Sequence, residues 1–398
     1  FITYGDHDLA ENIVHLVLAR TQNAPSGVRG ISLFIVPKFL PESGGSLGSR
    51  NDVRCVSLEH KLGVNGSPTA VLAFGEDGGA VGELVGDENR GIEYMFTMMN
   101  NARLSVGGQG LAIAERAYQQ ARDYSRTRLQ GRNDEGVGPA PIIRHPDIRR
   151  MLTTMRAQID AMRALIYYTA GAIDRAKRSI DDLDKQRQQQ LADFLIPIVK
   201  SWCTDMGCSV TSSALQIHGG MGFIEQTGAA QHFRDARITP IYEGTNGIQG
   251  IDLVGRKLAR DAGATARMLI QEMAATASGL ETEQADVVRR LAPALQSGVE
   301  SLMTATDWLV KTWPQDRPRA LAAASPYLSL FGLVAGGWLL AKSAVAAHRR
   351  QAAAPGDASF LDAKKATAAF YSKNMLPLAA GLSAVVTAGG ASALALAD

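Results

Sequence analysis

The residue of this sequence best suited to acid–base chemistry is a carboxylate in an apolar, glycine-containing frame. Glu243 stands in the stretch Ile-Tyr-Glu-Gly-Thr, shortly after a Thr-Pro pair that interrupts any helix. A carboxylate that is partly desolvated by such neighbours becomes a competent base for a weakly acidic C–H bond. A first-turn acid that stabilises a helix dipole would have the same sequence, so both interpretations stay open at this point.

A second stretch that could bind a ligand lies about twenty residues earlier. Residues Gln216–Phe223 read Gln-Ile-His-Gly-Gly-Met-Gly-Phe and end a long apolar helical pattern. One glycine suffices to cap a helix, whereas Gly219, Gly220 and Gly222 together would let a flat or phosphorylated ligand approach the backbone. A plain helix stop is the alternative.

Composition excludes several classes of function. The net charge is +2, from 41 basic and 39 acidic residues spread along the chain, so no single-sign field attracts nucleic acid. The three cysteines form no CxxC pair, which argues against a disulfide framework or a zinc site, and we expect no metal and a reducing cytoplasm. Because Phe1 stands in mid-pattern, we expect the chain to begin inside a longer protein.

The elements that position these residues change type along the chain. Short β-branched runs at Asn12–Arg20, Ile31–Val36, Val53–Leu58 and Ala70–Phe74 predict a β-rich segment up to about residue 85. After Gly91 the apolar residues take helical spacing, which predicts four long helices: one from Gly91, then Pro146–Arg175, Ser179–His218 and Gly247–Arg260. Leu129–Pro141 should be a polar loop.

An Ala-rich region follows and predicts further helices at Glu281–Trp313, Arg319–Arg350 and Leu361–Ala397, with breaks at the prolines 314, 318, 355 and 377. Ala320–Ala341 and Asn374–Ala397 contain no charged residue, which raises the question of a membrane span. Their small residues and internal prolines favour buried bundle helices instead, so we expect no membrane span.

The two glycine-containing stretches, joined by Arg234-Asp235-Ala236, resemble the signatures of the acyl-CoA dehydrogenase family, over roughly residues 1–260. The resemblance implies an α+β, mainly α fold: a partial acyl-CoA dehydrogenase-like β-barrel domain (1–90), a four-helix-bundle domain (91–262) and an additional C-terminal helical domain (263–398). We expect the N-terminal helical domain and the first strands of the family fold to lie outside this sequence.

The resemblance also implies a reaction. In the family, the glutamate at the position of Glu243 removes the α-proton of an acyl-CoA thioester while the β-hydrogen leaves as hydride to FAD, giving a trans-2-enoyl-CoA. The family's thioester carbonyl is hydrogen-bonded by the backbone amide of that glutamate and by a ribityl hydroxyl of the flavin. An electron-transfer flavoprotein would reoxidise the reduced FAD. Glu243 is therefore the implied catalytic residue.

Other family positions can be placed on this sequence. Tyr124-x-x-x-Arg128 resembles the end of the family's first long helix, whose arginine reaches the FAD pyrophosphate of a neighbouring subunit. The residues implied to bind FAD are Thr3, Arg128, Gln216, Gly219, Gly220, Ile238 and Thr245. Those implied to bind the acyl-CoA are Asn100, Arg103, Tyr242 and Gly244; Asn100 stands where the family commonly has an acid.

The added helical domain narrows the resemblance to a bacterial branch that contains 3-methylmercaptopropionyl-CoA dehydrogenase, which implies a short or medium acyl-CoA substrate. We expect a homo-oligomer, a dimer rather than a tetramer. One alternative is a flavin-containing homologue of the alkylation-response type that binds DNA with little dehydrogenase activity. A second alternative is a helical scaffold in which Glu243 only caps a helix.

Overall fold

The computed structural model describes residues 2–132, 138–353 and 357–395. The chain divides into two compact units, Phe1–Ala102 and Arg103–Asp398, and each is described by itself. The calls on Phe1, on the middle of the 129–141 loop and on Pro355 lie wholly or partly outside the described residues. The domain boundaries at 90/91 and 262/263 stay predictions.

Unit 1 is built from short antiparallel strands. Its described strands are β1 (Ile2–Thr3), β2 (Val14–Ala19), β3 (Ser32–Pro37), β4 (Phe39–Pro41), β5 (Leu47–Arg50), β6 (Val53–Leu58), β7 (Thr69–Phe74) and β8 (Glu83–Leu84). They form sheets in the orders β1-β7-β6, β2-β3-β8 and β4-β5. The four strands predicted from β-branched runs are present, with ends shifted by at most two residues.

The buried apolar residues of unit 1 come from several of these strands. Leu33 and Val36 on β3, Val53 on β6 and Ala70 on β7 are buried. In the β2–β3 ladder His15 pairs with Val36, in an antiparallel register that runs unbroken over six residue pairs. Successive side chains of a strand point to opposite faces, so the buried Leu33 and Val36 lie on opposite faces of β3, and on β2 His15 is buried while Val14, Leu16 and Leu18 are exposed.

Unit 2 is helical. Its first elements are α1 (Gly91–Thr127), which begins in unit 1, α2 (Pro146–Arg178), α3 (Asp182–His218), α4 (Ala229–Ala236) and α5 (Asn246–Asp252). Helices α2 and α3 pack along each other and bury Met155, Met162, Leu195 and Val199. The first three predicted helices are confirmed, and α4 was not predicted.

The predicted fourth long helix is present over its expected length but is not regular. It consists of α5 followed by a π-helical segment, Leu253–Leu258, instead of one regular α-helix to Arg260. Glycines at 250 and 255 lie against Ser325 and Trp313, where an added Cβ would meet atoms at 3.1 and 3.0 Å. Both glycines therefore allow residues later in the chain to approach this segment closely.

The Ala-rich region is helical as predicted. Its elements are α6 (Ala264–Glu281), α7 (Asp286–Arg289), α8 (Ala292–Thr312), α9 (Arg317–Ala322), α10 (Ala324–Ala353), α11 (Ala358–Asn374) and α12 (Leu378–Leu394). Pro314 and Pro377 lie in breaks between helices, whereas Pro318 lies in the first turn of α9. That position tolerates proline because the N–H there has no partner within the helix.

Helix α10 is the central element of this region. It packs on α2, α3, α8, α11 and α12 and buries Tyr327, Phe331 and Trp338. By length and composition α10 could cross a membrane, as could α11 and α12 together if they are counted as one bent span. The apolar window of α10 is 78% buried inside the protein.

Candidate active site

The Glu243 turn connects α4 to α5. After α4, Tyr242 N–H donates to the Ile238 carbonyl at 3.1 Å, and Asn246 N–H reaches back to the Pro240 carbonyl at 2.9 Å. Between these two bonds Glu243 has φ 55°. A non-glycine residue in this left-handed region costs roughly 1 kcal/mol, and such residues persist only when their surroundings hold them there.

Three side chains from below the turn hold its carbonyl groups. The Glu243 carbonyl accepts from Arg103 Nε and from Gln249 Nε2, both at 3.4 Å. The Gly244 carbonyl accepts from Lys200 Nζ at 2.8 Å and from Gln249 Nε2 at 3.1 Å. The two carbonyls of the turn therefore face the protein interior.

Two of these donors are buried cations. Lys200 is 0% exposed and Arg103 is 4% exposed. Burial lowers the pKa of Lys200 to about 8 and also lowers the pKa of Arg103, which Asp252 at 3.8 Å partly offsets. Positive charge placed in the interior next to carbonyl oxygens strengthens each hydrogen bond, because the local dielectric is low.

The turn also carries groups that could contact a substrate. Within the described ranges the N–H of Glu243 has no hydrogen-bond acceptor. The Tyr242 hydroxyl donates to the Gln109 side chain of α1, and burial together with the nearby Glu243 raises the pKa of Tyr242. A carboxylate and a backbone N–H on one left-handed residue can take a proton from a carbon acid and donate a hydrogen bond to its carbonyl.

The glycine stretch separates into two parts. Helix α3 ends at His218, and Gly219 follows with φ 58°, which favours glycine. A Cβ at Gly219 or Gly220 would meet no atom within 4 Å, whereas one at Gly222 would lie 2.5 Å from the Leu215 carbonyl oxygen. Gly222 is therefore required by packing, and Gly219 and Gly220 leave the backbone accessible to a ligand.

Stacking brings the end of α1 to the end of α3. The Tyr124 and His218 rings are 4.5 Å apart at an interplanar angle of 27°. Arg128 follows one turn after Tyr124, and its N–H donates to the Tyr124 carbonyl at 2.9 Å. The Arg128 guanidinium is exposed and donates to the Gln130 side chain at 3.1 Å. An arginine and an open glycine backbone thus lie at neighbouring helix ends.

The remaining predicted residues are distributed over both units. Ile238 and Thr245 are exposed near the Glu243 turn, and Thr245 is the N-cap residue of α5 without a side-chain cap bond. Thr3 is exposed on β1 and Asn100 is half-buried on α1, both in unit 1. The cluster around Glu243 is therefore formed by residues of unit 2.

Sequence reasoning missed three residues of this cluster: Lys200, Asn246 and Gln249. A usable signal existed for Lys200, which is the single charged residue in the apolar run Phe194–Trp202. A lone charge in such a run is expected to be buried and paired with polar groups. Gln249 gave no comparable signal, because a glutamine one turn into a helix is commonly solvent-exposed.

Comparison with known proteins gives family matches for most of the chain. The family model described as "Acyl-CoA dehydrogenase, C-terminal domain" matches residues 89–259. A second, described as "Acetyl-CoA dehydrogenase C-terminal like", matches residues 269–397. Together the two models cover the helical part of the chain.

Individual relatives extend this similarity. The chain is 51% identical over 378 residues to 3-methylmercaptopropionyl-CoA dehydrogenase of Ruegeria pomeroyi, covering 94% of this chain and 63% of that protein. Among solved structures, Caenorhabditis elegans ACDH-11 in complex with C11-CoA matches with a TM-score of 0.73 at 23% identity, covering 91% of this chain and 57% of that one. An acyl-CoA dehydrogenase from Bacillus anthracis complexed with FAD matches with a TM-score of 0.70 at 18% identity, covering 97% and 62%.

Proposed function

Because the chain belongs to the acyl-CoA dehydrogenase family, we propose that it is part of an FAD-dependent enzyme that converts an acyl-CoA thioester to a trans-2-enoyl-CoA. The chain spans 63% of the length of its Ruegeria pomeroyi relative, so the activity is proposed for the whole protein. The observation that carries the proposal is the left-handed Glu243, whose carbonyl is held inward while its N–H has no acceptor in the described part of the chain.

Glu243 would act as the base. Its carboxylate takes the α-proton of the thioester, and the electron pair of that C–H bond becomes the second bond between Cα and Cβ as the β-hydrogen leaves with its own pair. The α-carbon is acidic only when the thioester carbonyl is polarised. A hydrogen bond from the Glu243 N–H to that carbonyl would supply part of this polarisation.

The described residues fit an FAD site at the ends of α1 and α3. Gly219 and Gly220 leave room for a flat or phosphorylated group, and Arg128 supplies an exposed cation suited to a pyrophosphate. Bound FAD would supply the acceptor for the hydride. The assignments of Thr3, Gln216, Ile238 and Thr245 to the same cofactor are proposals that rest on the family resemblance.

The finer assignments follow from the relatives. We propose a short or medium acyl-CoA substrate, with 3-methylmercaptopropionyl-CoA as the first candidate because of the 51% identity to that dehydrogenase. Arg103, Asn100, Tyr242 and Gly244 are proposed to contact it. An electron-transfer flavoprotein as acceptor, a homodimer, the cytoplasm and a place in β-oxidation are further proposals. The 51% identical Ruegeria pomeroyi relative is a dehydrogenase, which gives the DNA-binding alternative no support.

The test is an anaerobic titration of the full-length, FAD-loaded protein with a panel of acyl-CoAs, followed by loss of oxidised-flavin absorbance. We expect the wild type to bleach with at least one thioester, and Glu243→Gln to bind the same thioester without bleaching. Glu281→Gln at the exposed end of α6 is the matched control and should bleach like the wild type.

Two results would contradict the proposal. If no thioester bleaches the wild-type flavin, the dehydrogenase activity is refuted and DNA affinity becomes the next measurement. If Glu243→Gln bleaches at the wild-type rate, the enzyme is a dehydrogenase with its base elsewhere. The panel also decides between 3-methylmercaptopropionyl-CoA and unsubstituted acyl chains.

A further inference from the structure

A buried lysine lies directly under the Glu243 turn. Lys200 is in the middle of α3, is 0% exposed, and donates to the Gly244 carbonyl at 2.8 Å and to Asn246 Oδ1 at 2.9 Å. The Asp205 and Glu243 carboxylates are close enough to raise the pKa of Lys200, but burial outweighs them and lowers it. Burying an ammonium group is unfavourable unless polar groups compensate for the lost water. The Lys200 ammonium group is compensated by hydrogen bonds to one backbone carbonyl and one side-chain amide of a single turn.

Asn246 ties the same turn to α3 from its other end. Its Nδ2 donates to the Ser201 carbonyl at 3.1 Å, to Thr204 Oγ1 at 3.0 Å and to Asp205 Oδ1 at 2.8 Å. Its Oδ1 accepts from Lys200. One side chain therefore joins the first residue of α5 to successive residues of α3, and the Lys200 ammonium group completes the connection.

We propose that Lys200, acting through the Gly244 carbonyl and Asn246, is a positioning residue that fixes the left-handed turn and so sets the direction of the Glu243 carboxylate and N–H. This inference rests on the proposed function, since it assigns Lys200 a part in the reaction of Glu243. Lys200 would contact neither substrate nor cofactor; it would act by holding the backbone of the turn.

The geometry explains why the turn depends on this bond. Glu243 and Gly244 both have positive φ, 55° and 84°, and a non-glycine residue keeps such a conformation only while its surroundings hold it. The Gly244 carbonyl lies directly after this pair, so a hydrogen bond to it fixes the end of the left-handed segment. Lys200 makes the shorter of the two bonds to the Gly244 carbonyl, 2.8 Å against 3.1 Å from Gln249. Gln249 Nε2 also donates to the Glu243 carbonyl, so one amide group is shared between the two carbonyls.

The expected effect is on the rate of proton removal. A displacement of about 1 Å at a reacting group costs about 10²-fold in rate, because the near-attack geometry is lost. Lys200→Met keeps the length and volume of the side chain and removes its donors. We therefore expect proton removal to slow by about 10²-fold while the Kd for acyl-CoA remains close to that of the wild type.

The experiment separates proton removal from oxidation. The full-length, FAD-loaded protein is incubated in D2O with a 3-thiaacyl-CoA, which has an acidic α-carbon but no β-hydrogen to transfer, and mass spectrometry measures uptake of α-deuterium. Flavin reduction by a dehydrogenated substrate and the Kd of the analogue are measured in parallel. The matched control is Lys185→Met, the same change at an exposed lysine of α3 that pairs with Asp182 at 3.0 Å.

Slower deuterium uptake by Lys200→Met, with unchanged Kd and a normal Lys185→Met control, supports the positioning role. An amide keeps a donor at this position, so Lys200→Gln should recover part of the rate; a purely structural role predicts no such recovery. Uptake by Lys200→Met at the wild-type rate overturns the inference and leaves the proposed function intact.

Two further outcomes are also decisive. If Lys200→Met fails to retain FAD, Asn246→Ala takes its place: slower uptake with unchanged Kd supports the inference, and wild-type uptake overturns it. If the wild type itself neither exchanges the α-proton nor reduces its flavin with any thioester, the proposed function fails and the role of Lys200 fails with it. The two failures are distinguished by the wild-type measurement alone.

Discussion

Replacing Gly332 by alanine tests how α10 packs on α3. A Cβ at this position would lie 2.3 Å from Cγ and 2.6 Å from Cδ1 of the Trp202 side chain. Carbon atoms in favourable contact are about 3.5–4.0 Å apart, so one of the two groups must move by more than about 1 Å. Trp202 is buried, and Gly332 is in the middle of a helix, so neither has free space to move into.

We expect Gly332→Ala to destabilise the protein, whereas glycine-to-alanine changes inside a helix usually stabilise it. Glycine to alanine inside a helix stabilises by about 0.5–1 kcal/mol through backbone entropy. Overpacking of a close-packed interior costs about 1–3 kcal/mol, and a contact at 2.3 Å belongs at the upper end of that range. We therefore expect Gly332→Ala to lower the free energy of unfolding by about 2 kcal/mol.

The assay is urea unfolding of the full-length protein, followed by far-UV circular dichroism. Gly279→Ala in α6 is the control, because a Cβ there would meet no atom within 4 Å. It should raise the unfolding midpoint, while Gly332→Ala lowers it. If the two variants shift the midpoint in the same direction, Gly332 is not in close contact with Trp202 and the packing of α10 on α3 is looser than described.

Two further changes test the electrostatics of unit 2. Asp160 is buried and accepts hydrogen bonds from Arg156 at 3.1 Å and from Lys364 of α11 at 3.0 Å. Asp160→Asn should therefore lower the free energy of unfolding by about 2 kcal/mol, whereas Asp182→Asn at an exposed ion pair should leave it almost unchanged. Equal urea midpoints for the two variants would contradict this. The pKa of Lys200 is lowered from 10.5 to about 8, so between these values the unfolded chain binds more protons than the folded one, and stability rises with pH. The unfolding free energy of the wild type relative to Lys200→Met should therefore increase from about pH 7.5 to about pH 9.5, and parallel pH profiles would refute this sign.

Much of the secondary structure could be predicted from local pattern. The strands follow from β-branched runs and the first three helices from the spacing of apolar residues, and α3 ends at His218 where its glycines begin. The fourth helix covers its predicted range, but its π-helical segment was not predicted, because the spacing of apolar residues does not report a local change from i→i+4 to i→i+5 hydrogen bonds. Local periodicity reports which face of a helix is apolar but not how closely a neighbouring helix approaches it.

The sequence by itself placed Glu243 at a loop-to-helix junction next to a glycine, and the family resemblance of Tyr-Glu-Gly-Thr made it the candidate base. It also determined that Gly219 and Gly220 follow a helix end. Only the tertiary structure decided what supports the turn, since Arg103 and Lys200 reach it from positions 140 and 44 residues away from the carbonyls they hold. The physical reason is that burial turns an ordinary lysine or arginine into a strong, fixed hydrogen-bond donor, and burial is a property of the packed helices.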